Sequence, residues 1–183
     1  MKLTKRGEYA LRTLIRLGVA QKLDEGVLSV STLAEGEHLP FKFLEAILFE
    51  LRGAGYVESQ RGKHGGTRLA KPMKKIKMGE IVRLIDGKLA PIGCASETAY
   101  EPCSCPDEEH CGLRMLMIDV RNAIANILDR YTLEDVVEVT LRKQQRDKKP
   151  TSRKKNTPPL RKRTAAASRH ADPADGFLAA LLK

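Results

Sequence analysis

The sequence lacks the features that identify several common functional classes. No apolar run is long enough for a signal peptide or a membrane span, so we expect a cytoplasmic protein with no membrane partner. There is no Ser/His/Asp arrangement, and none of the four histidines is spaced as a metal-ligand pair. The glycines between Gly62 and Gly66 are not followed by a helical pattern, which excludes a phosphate-binding loop. These absences predict a protein that is not an enzyme.

Excess positive charge is missing from most of the chain, although its net charge is +10. Residues 1–141 carry 20 basic and 20 acidic side chains, whereas residues 142–183 carry 13 basic and 3 acidic ones. The high isoelectric point therefore says nothing about the folded part. Residues 142–183 have no hydrophobic periodicity, which predicts a disordered basic tail that adds salt-sensitive attraction to nucleic acid.

Apolar spacing predicts three helices in the N-terminal part. Thr4 is a suitable N-cap for a helix that runs to about residue 20, and Ser31 for a short second helix. After a turn at residues 38–40, a third helix is predicted over residues 41–52, because apolar residues recur there at steps of three and four. Its predicted buried residues are Phe43, Leu44, Ile47, Leu48 and Leu51.

A glycine-tipped hairpin is predicted after these helices. Residues 56–61 and 67–70 have strand patterns, and the basic segment between them contains three glycines. This order of elements predicts a winged helix-turn-helix in residues 1–77. A small helical domain with an incidental hairpin is the alternative, but it does not explain the basic tip. The predicted fold class is mainly α with a small β-hairpin wing.

A second region is predicted at residues 78–141. A short helix at residues 77–86 should bury Ile81, Val82, Leu84 and Ile85. A longer helix begins at Gly112 and would extend for about 30 Å, too far for the small N-terminal domain to cover. Its heptad seam predicts a homodimer, and packing on its own domain is the alternative. The seam residues are Leu113, Met117, Val120, Ile124, Ile127 and Tyr131. The apolar residues in 133–141 predict a last element that is either a strand or a helix.

All four cysteines lie within the eighteen residues 94–111. Prolines and few apolar residues predict an exposed loop there, and long loops in compact domains are usually functional or disordered. In a reducing compartment, clustered thiols favour a metal or redox site over disulfides. Thiolates suit iron-sulfur clusters and zinc, but these cysteine intervals differ from the close pairs of structural zinc sites. Zinc is therefore the second alternative. A metal-free thiol switch is the third alternative, because acidic neighbours raise thiol pKa values and thereby slow oxidation.

Four blocks of sequence occur together in this chain. They are residues 1–4 (MKLT) with 8–12 (EYALR), residues 43–45 (FLE), the glycine-rich residues 61–66, and the cysteine loop with its following helix. Residues 1 to about 140 thereby resemble the bacterial Rrf2-type winged-helix regulators, which include the iron-sulfur assembly regulator and the nitric-oxide-sensing repressor. The resemblance implies a homodimeric transcriptional repressor with a 2Fe-2S or 4Fe-4S cluster on the cysteine loop.

The resemblance also implies a ligand set for the cluster. Cys94, Cys105 and Cys111 match the nitric-oxide-sensing branch, because Cys105 precedes a proline and five residues separate it from Cys111. Where the assembly-regulator branch has a histidine ligand, this chain has Arg114. In the other branch an acidic residue of the partner subunit, near the start of the first helix, is the fourth ligand, and Glu8 occupies that position. The fourth ligand is thus Glu8, the additional Cys103, or none. A carboxylate at Glu8 would also favourably oppose its helix dipole.

DNA contacts are predicted on the third helix and the wing. In a helix-turn-helix the third helix would enter the major groove of a double-stranded operator, with Lys42 and Glu45 nearest the base edges. Glu45 would accept from a cytosine amino group, or it is an ordinary exposed carboxylate. The wing contributes Arg61 to the minor groove, with Gly62 and Lys63 beside it, and Ser59 would hold a phosphate. The alternative function is a zinc-binding or thiol-redox-responsive protein with the winged helix as scaffold.

Overall fold

The computed structural model of this chain describes residues 3–62 and 65–148. Six α-helices and two antiparallel strands lie within these residues, which confirms the mainly α fold with a hairpin wing. In chain order they are α1 (Lys5–Lys22), α2 (Val30–Glu37), α3 (Phe41–Gly53), β1 (Val57–Gln60), β2 (Gly66–Leu69), α4 (Met78–Asp86), α5 (Gly112–Arg130) and α6 (Leu133–Lys148). Short 3-10 helices occupy Met73–Lys75 and Gly93–Ala95. The chain divides into two units, Met1–Val137 and Glu138–Lys183.

Local capping sets the ends of the first two helices. The Thr4 hydroxyl accepts a hydrogen bond from the Gly7 amide at 3.1 Å and caps α1 as predicted. The cap of α2 is Ser29 and not Ser31, because the Ser29 hydroxyl accepts from the Thr32 amide at 3.0 Å. His38 ends α2 in the left-handed conformation, with a φ of 52°.

Helix α3 buries one face against the domain and leaves the other in solvent. The predicted core residues Leu44, Ile47, Leu48 and Leu51 are buried. The prediction for Phe43 was wrong, because its side chain is 40% exposed and only its edge meets the Tyr9 ring, with ring centroids 5.7 Å apart. Four side chains from successive turns line the exposed face of the helix, which we call the outer face of α3. They are Lys42, Glu45, Phe49 and Arg52.

The wing is a short hairpin held against the segment before α2. Residues Val57 to Gln60 pair with Leu69 to Gly66. Thr67 also exchanges two backbone hydrogen bonds with Leu28, at 2.7 and 3.1 Å. A Cβ atom on Gly66 would lie 2.6 Å from the Leu28 carbonyl oxygen, so this close backbone approach requires glycine.

Helix α5 has no buried residue, although it is 19 residues long. Leu113 and Ile127 of the predicted seam are more than half exposed, whereas its other four residues are half-buried, so the stripe is only partly covered in the single chain. The C-terminal end of α5 is held by backbone bonds, in which the Met78 amide donates to the Tyr131 carbonyl at 3.0 Å. Arg83 of α4 adds a bidentate ion pair with Asp129, at 2.7 and 2.8 Å.

The remaining predictions concern α4, the C-terminal region and membranes. In α4, Ile81, Val82 and Ile85 are buried as predicted, but Leu84 is only half-buried. Residues 133–141 are helical, and α6 continues to Lys148. Residues 142–148 of the predicted disordered tail are therefore helical, and residues 149–183 lie outside the described residues. No helix in the described part of the chain is long and apolar enough to cross a membrane.

Candidate cysteine sensor and nucleic-acid interface

The four cysteine thiols form a chain of contacts at the N-terminal end of α5. The four thiols lie near enough to affect one another's acidity, since Cys103 raises the pKa of Cys94 and of Cys105, and Cys111 raises that of Cys105. The backbone amide of Cys105 also donates to the Cys103 sulfur at 3.4 Å. The loop thus brings together all four cysteines that the sequence singled out.

The loop is not exposed along its whole length, as the sequence had suggested. Cys94 lies in the 3-10 helix Gly93–Ala95 and is only 5% exposed, whereas Cys105 is exposed and Cys103 and Cys111 are half-buried. Burial of Cys94 places one thiol against the body of the protein. The other three remain accessible to a ligand or an oxidant.

Glu108 organises the polar side of this loop. Its carboxylate accepts from the Tyr100 hydroxyl at 2.7 Å and from the Cys103 thiol at 3.6 Å, and it pairs with Arg114 at 3.3 Å. The Tyr100 hydrogen bond, with help from Cys103 and Arg114, holds the pKa of Glu108 below its usual value. Nothing in the spacing of the cysteines pointed to this glutamate.

The thiols differ in acidity for identifiable reasons. Burial first, and then the contact with Cys103, raises the pKa of Cys94. Hydrogen bonds with Cys103 and Cys111 raise the pKa of Cys105 to about 12. Cys111 is the N-cap residue of α5, and the amide of Arg114, the Cys105 thiol and the amide of Leu113 lower its pKa. The predicted increase in thiol pKa therefore does not apply to Cys111.

The donor set suits an iron-sulfur cluster by its chemistry. Thiolates are the usual protein ligands of such clusters, and they also bind zinc. Within residues 3–62 and 65–148, however, no three His, Cys, Asp or Glu side chains are arranged to hold a metal ion. Ligation would replace the hydrogen bonds between thiols and release their protons. The cysteines therefore have the ligand type that an iron-sulfur cluster requires.

Glu8 is ion-paired within its own helix. It lies in the first turn of α1, 2.8 Å from Lys5 and 3.6 Å from Arg12, and the hydrogen bond from Lys5 lowers its pKa. The carboxylate is 40% exposed. This placement satisfies the helix dipole and also leaves the carboxylate accessible from outside the chain.

Two arginines of α5 connect the loop to the helix. Arg114 donates to the Cys94 carbonyl at 3.0 Å, and Arg121 donates to the Ala95 carbonyl at 2.8 Å. The backbone beside the buried thiol is therefore bound directly to α5. In the sequence, Arg114 stands only as the residue at the position where one branch has a histidine ligand. Its carbonyl partner is twenty residues away, so the sequence does not reveal this contact.

The outer face of α3 carries the predicted base-reading residues. Lys42 is 90% exposed and pairs with Glu45 at 3.0 Å. Phe49 and Arg52 follow on the same face and were not predicted, although a continuation of the spacing from Glu45 by four and seven residues would have included them. Arg52 donates to the Ser59 hydroxyl of the wing at 3.2 Å. Helix and wing therefore meet at a polar contact.

A recess of about 420 Å³ lies beside this contact, and Glu45, Phe49, Arg52 and Ser59 contribute to its lining. Arg61 and Gly62 are exposed at the end of β1, and Gly62 has a φ of +114°, a conformation suited to glycine. Lys63 lies outside the described residues. A helix, a recess and a glycine-rich tip in this order match the winged helix-turn-helix arrangement for duplex DNA.

Comparison with known proteins decides the family. The Rrf2 model, described as an iron-dependent transcriptional regulator, matches residues 3–139. The chain belongs to the Rrf2 family. As an Rrf2 regulator it is a DNA-binding transcriptional regulator, so the alternative in which the winged helix is only a scaffold is not retained.

Other Rrf2-family proteins support the assignment at the level of sequence and structure. An rrf2-like HTH-type transcriptional regulator of Rhodobacter capsulatus is 38% identical over 74% of this chain and 91% of the relative. The regulator NsrR of Bacillus licheniformis is 32% identical over 75% of this chain and 92% of the relative. The structure of CymR, the global cysteine regulator of B. subtilis, is 30% identical with a TM-score of 0.62, over 75% of this chain and 97% of that chain.

The thiol acidities predict a specific order of alkylation. In reduced, metal-free protein at pH 7, we expect iodoacetamide to modify Cys111 at least about tenfold faster than Cys105, because the thiolate is the nucleophile. The lowered pKa of Cys111 increases its thiolate fraction, whereas Cys105, with a pKa of about 12, stays protonated. The advantage should shrink as the pH rises toward 12. Peptide mass spectrometry measures both rates, and faster reaction at the more exposed Cys105 would show that exposure decides.

Proposed function

We propose that this chain is a dimeric transcriptional repressor whose operator binding is controlled by an iron-sulfur cluster on the cysteine loop. The observation that carries the proposal is the contact chain of four thiols at the start of α5, beside a Cys94 backbone that α5 itself binds. Residues 1–77 would read DNA, residues 78–141 would sense and dimerise, and residues 142–183 would form a basic tail. The family description as iron-dependent supports the same function.

The proposed cluster ligands are Cys94, Cys105 and Cys111. When bound, the cluster would supply a group whose redox state and integrity respond to small reactive molecules. Two candidates remain for a fourth ligand. Cys103 is supported by its contacts with the Cys94 and Cys105 thiols. Glu8 is supported by its partial exposure and by the likeness to NsrR.

Helix α5 would transmit the state of the loop to the DNA-binding domain. Arg114 and Arg121 bind the loop backbone at one end, and the bidentate Arg83–Asp129 pair binds α4 near the other. Helix α4 packs directly on α1, the first helix of the DNA-binding domain. A change in the loop would therefore reach α1 through one rigid helix and two sets of polar contacts.

A second copy of the chain is the proposed partner of the open stripe on α5. The stripe follows the heptad spacing, with Leu113 and Ile127 of the seam more than half exposed and Leu116 exposed beside it. Large contiguous apolar surface is unfavourable in water and usually identifies an interface. A symmetric pairing of two α5 helices would cover it and would present two DNA-binding domains to a two-fold operator.

A thiol-responsive regulator without a cluster is the second candidate. Its support is the hydrogen bonding of the thiols to one another, together with the likeness to the global cysteine regulator of B. subtilis. Zinc bound by the same thiols is a third possibility with the same ligands. Metal analysis separates these functions.

Anaerobically purified protein should contain iron and sulfide and should absorb visible light. Cys94→Ser, Cys105→Ser and Cys111→Ser should each remove most of the iron and the colour, because each variant lacks a thiolate ligand. Cys103→Ser and Glu8→Gln are matched variants for the fourth ligand, and the one that weakens cluster retention identifies it. Colourless protein that contains zinc without sulfide would reject the cluster, and protein without any metal would support the thiol-responsive function.

A charge placed on the open stripe of α5 should prevent dimer formation. We expect Ile127→Glu to be monomeric in sedimentation equilibrium, because two carboxylates would be desolvated at the helix contact. Asn122→Glu is the matched control, since Asn122 is exposed on another side of α5 and a carboxylate there can still accept from Arg121. A dimeric Ile127→Glu protein at the same concentration would place the interface elsewhere.

Substitutions in the DNA-binding residues should separate affinity from base choice. Arg61→Ala should strongly lower operator affinity through loss of a minor-groove contact. Glu45→Ala should mainly relax base choice, at about 1–3 kcal/mol per contact. Glu35→Ala, at an exposed carboxylate of α2, controls for the loss of negative charge and should act equally on operator and random duplex. Fluorescence anisotropy with both duplexes measures these effects, and equal effects of Glu45→Ala on the two would refute its assignment.

A further inference from the structure

Phe49 is the most exposed of the large apolar side chains on α3. Its side chain is 70% exposed, compared with 43% for Phe41 and 40% for Phe43, and Phe43 also packs on Tyr9. An aromatic ring left largely in water contributes little apolar burial to the fold. The ring lies on the outer face of α3, between Glu45 and Arg52 along the helix.

The neighbours of Phe49 restrict what the ring can contact. The Arg52 guanidinium lies over the ring, 5.6 Å from its centroid, and also donates to Ser59 of the wing. Arg52 and Ser59 both line the recess between α3 and the wing, where the sugar-phosphate strand between two grooves would pass. The ring itself has no polar atom for a phosphate and is left for a base edge.

Only one group on the base edges of the major groove is apolar. Adenine, guanine and cytosine present nitrogen and oxygen donors and acceptors there, whereas thymine also presents its 5-methyl group. Apolar side chains, including phenylalanine, are suited to contact this methyl group. An exposed ring directed at the major groove therefore favours thymine over the other three bases.

The helix geometry places this contact relative to that of Glu45. Four residues separate Glu45 from Phe49, which corresponds to about 6 Å along the helix axis. A recognition helix lies along the groove and not along the duplex axis, and residues three to four apart on it contact successive bases. The contacted thymine should thus lie at the base pair next to the position that Glu45 reads.

We propose that Phe49 is a specificity-determining residue that reads the methyl group of one thymine in each operator half-site. The inference rests on the proposed function, in which the outer face of α3 enters the major groove. It adds to the operator a thymine at the base pair next to the one that Glu45 reads. Arg52 and Ser59 hold the adjacent phosphate and keep the ring turned toward the bases.

The test begins by selecting duplexes from a random library with the full-length protein. In the selected duplex, each thymine is then replaced in turn by deoxyuridine, which lacks only the methyl group. For the wild-type protein, one replacement per half-site should weaken binding about fourfold, the factor that burial of a single methyl group typically brings. Phe49→Ala should bind the thymine and deoxyuridine duplexes equally, while Glu45→Ala should keep the difference between them.

Control variants separate a lost contact from a damaged fold. Phe49→Leu retains an apolar side chain and should preserve part of the discrimination between thymine and deoxyuridine. Thermal denaturation should be unchanged in both Phe49 variants, since the ring is largely exposed. If wild type and Phe49→Ala respond alike to every deoxyuridine, the inference is overturned and the DNA-binding function stands. If no duplex is enriched by the wild-type protein, the DNA-reading face of α3 and the inference fail together.

Discussion

The attachment of α5 by polar contacts is the constraint on which the rest of the structure depends. None of the 19 residues of α5 is fully buried, so apolar packing on its own domain covers it only in part. Polar contacts add to this packing, from Arg114 and Arg121 at the loop and from the Asp129 ion pair near the other end. Polar contacts of this kind have preferred geometries, so a movement of the loop backbone changes where α5 can lie. Part of the apolar stripe of α5 remains exposed in the single chain.

The same arrangement underlies the sensor role that we propose for the cysteine loop. Buried Cys94 fixes one thiol to the body of the protein, while Cys105 is open to solvent. At the helix terminus, backbone amides favour the thiolate form of Cys111, which is the form that binds metals and reacts with oxidants. Protonated thiols bonded to one another and thiolates bound to a metal are two alternatives for a single loop. Each would require a different conformation of the loop backbone that α5 binds.

DNA recognition in this chain depends on placement and not on bulk charge. Acidic and basic side chains are equal in number over residues 1–141, so an excess of positive charge does not draw the folded part to phosphates. The outer face of α3 instead combines an acidic and an aromatic side chain, Glu45 and Phe49, with two basic ones, Lys42 and Arg52. Such a mixed face is poorly suited to nonspecific phosphate binding and well suited to base edges.

The sequence by itself determined the elements whose causes are local. Apolar spacing of three and four residues predicted α3 with Leu44 and Ile47 buried, and the glycine pattern predicted the wing. The cysteine spacing also identified the loop as the candidate site. Only the tertiary structure decided which thiol is buried, why Phe43 stays partly in solvent, and that Arg114 binds the carbonyl of Cys94. These features depend on residues far apart in the chain meeting in space, and no periodicity or spacing within one segment records such meetings.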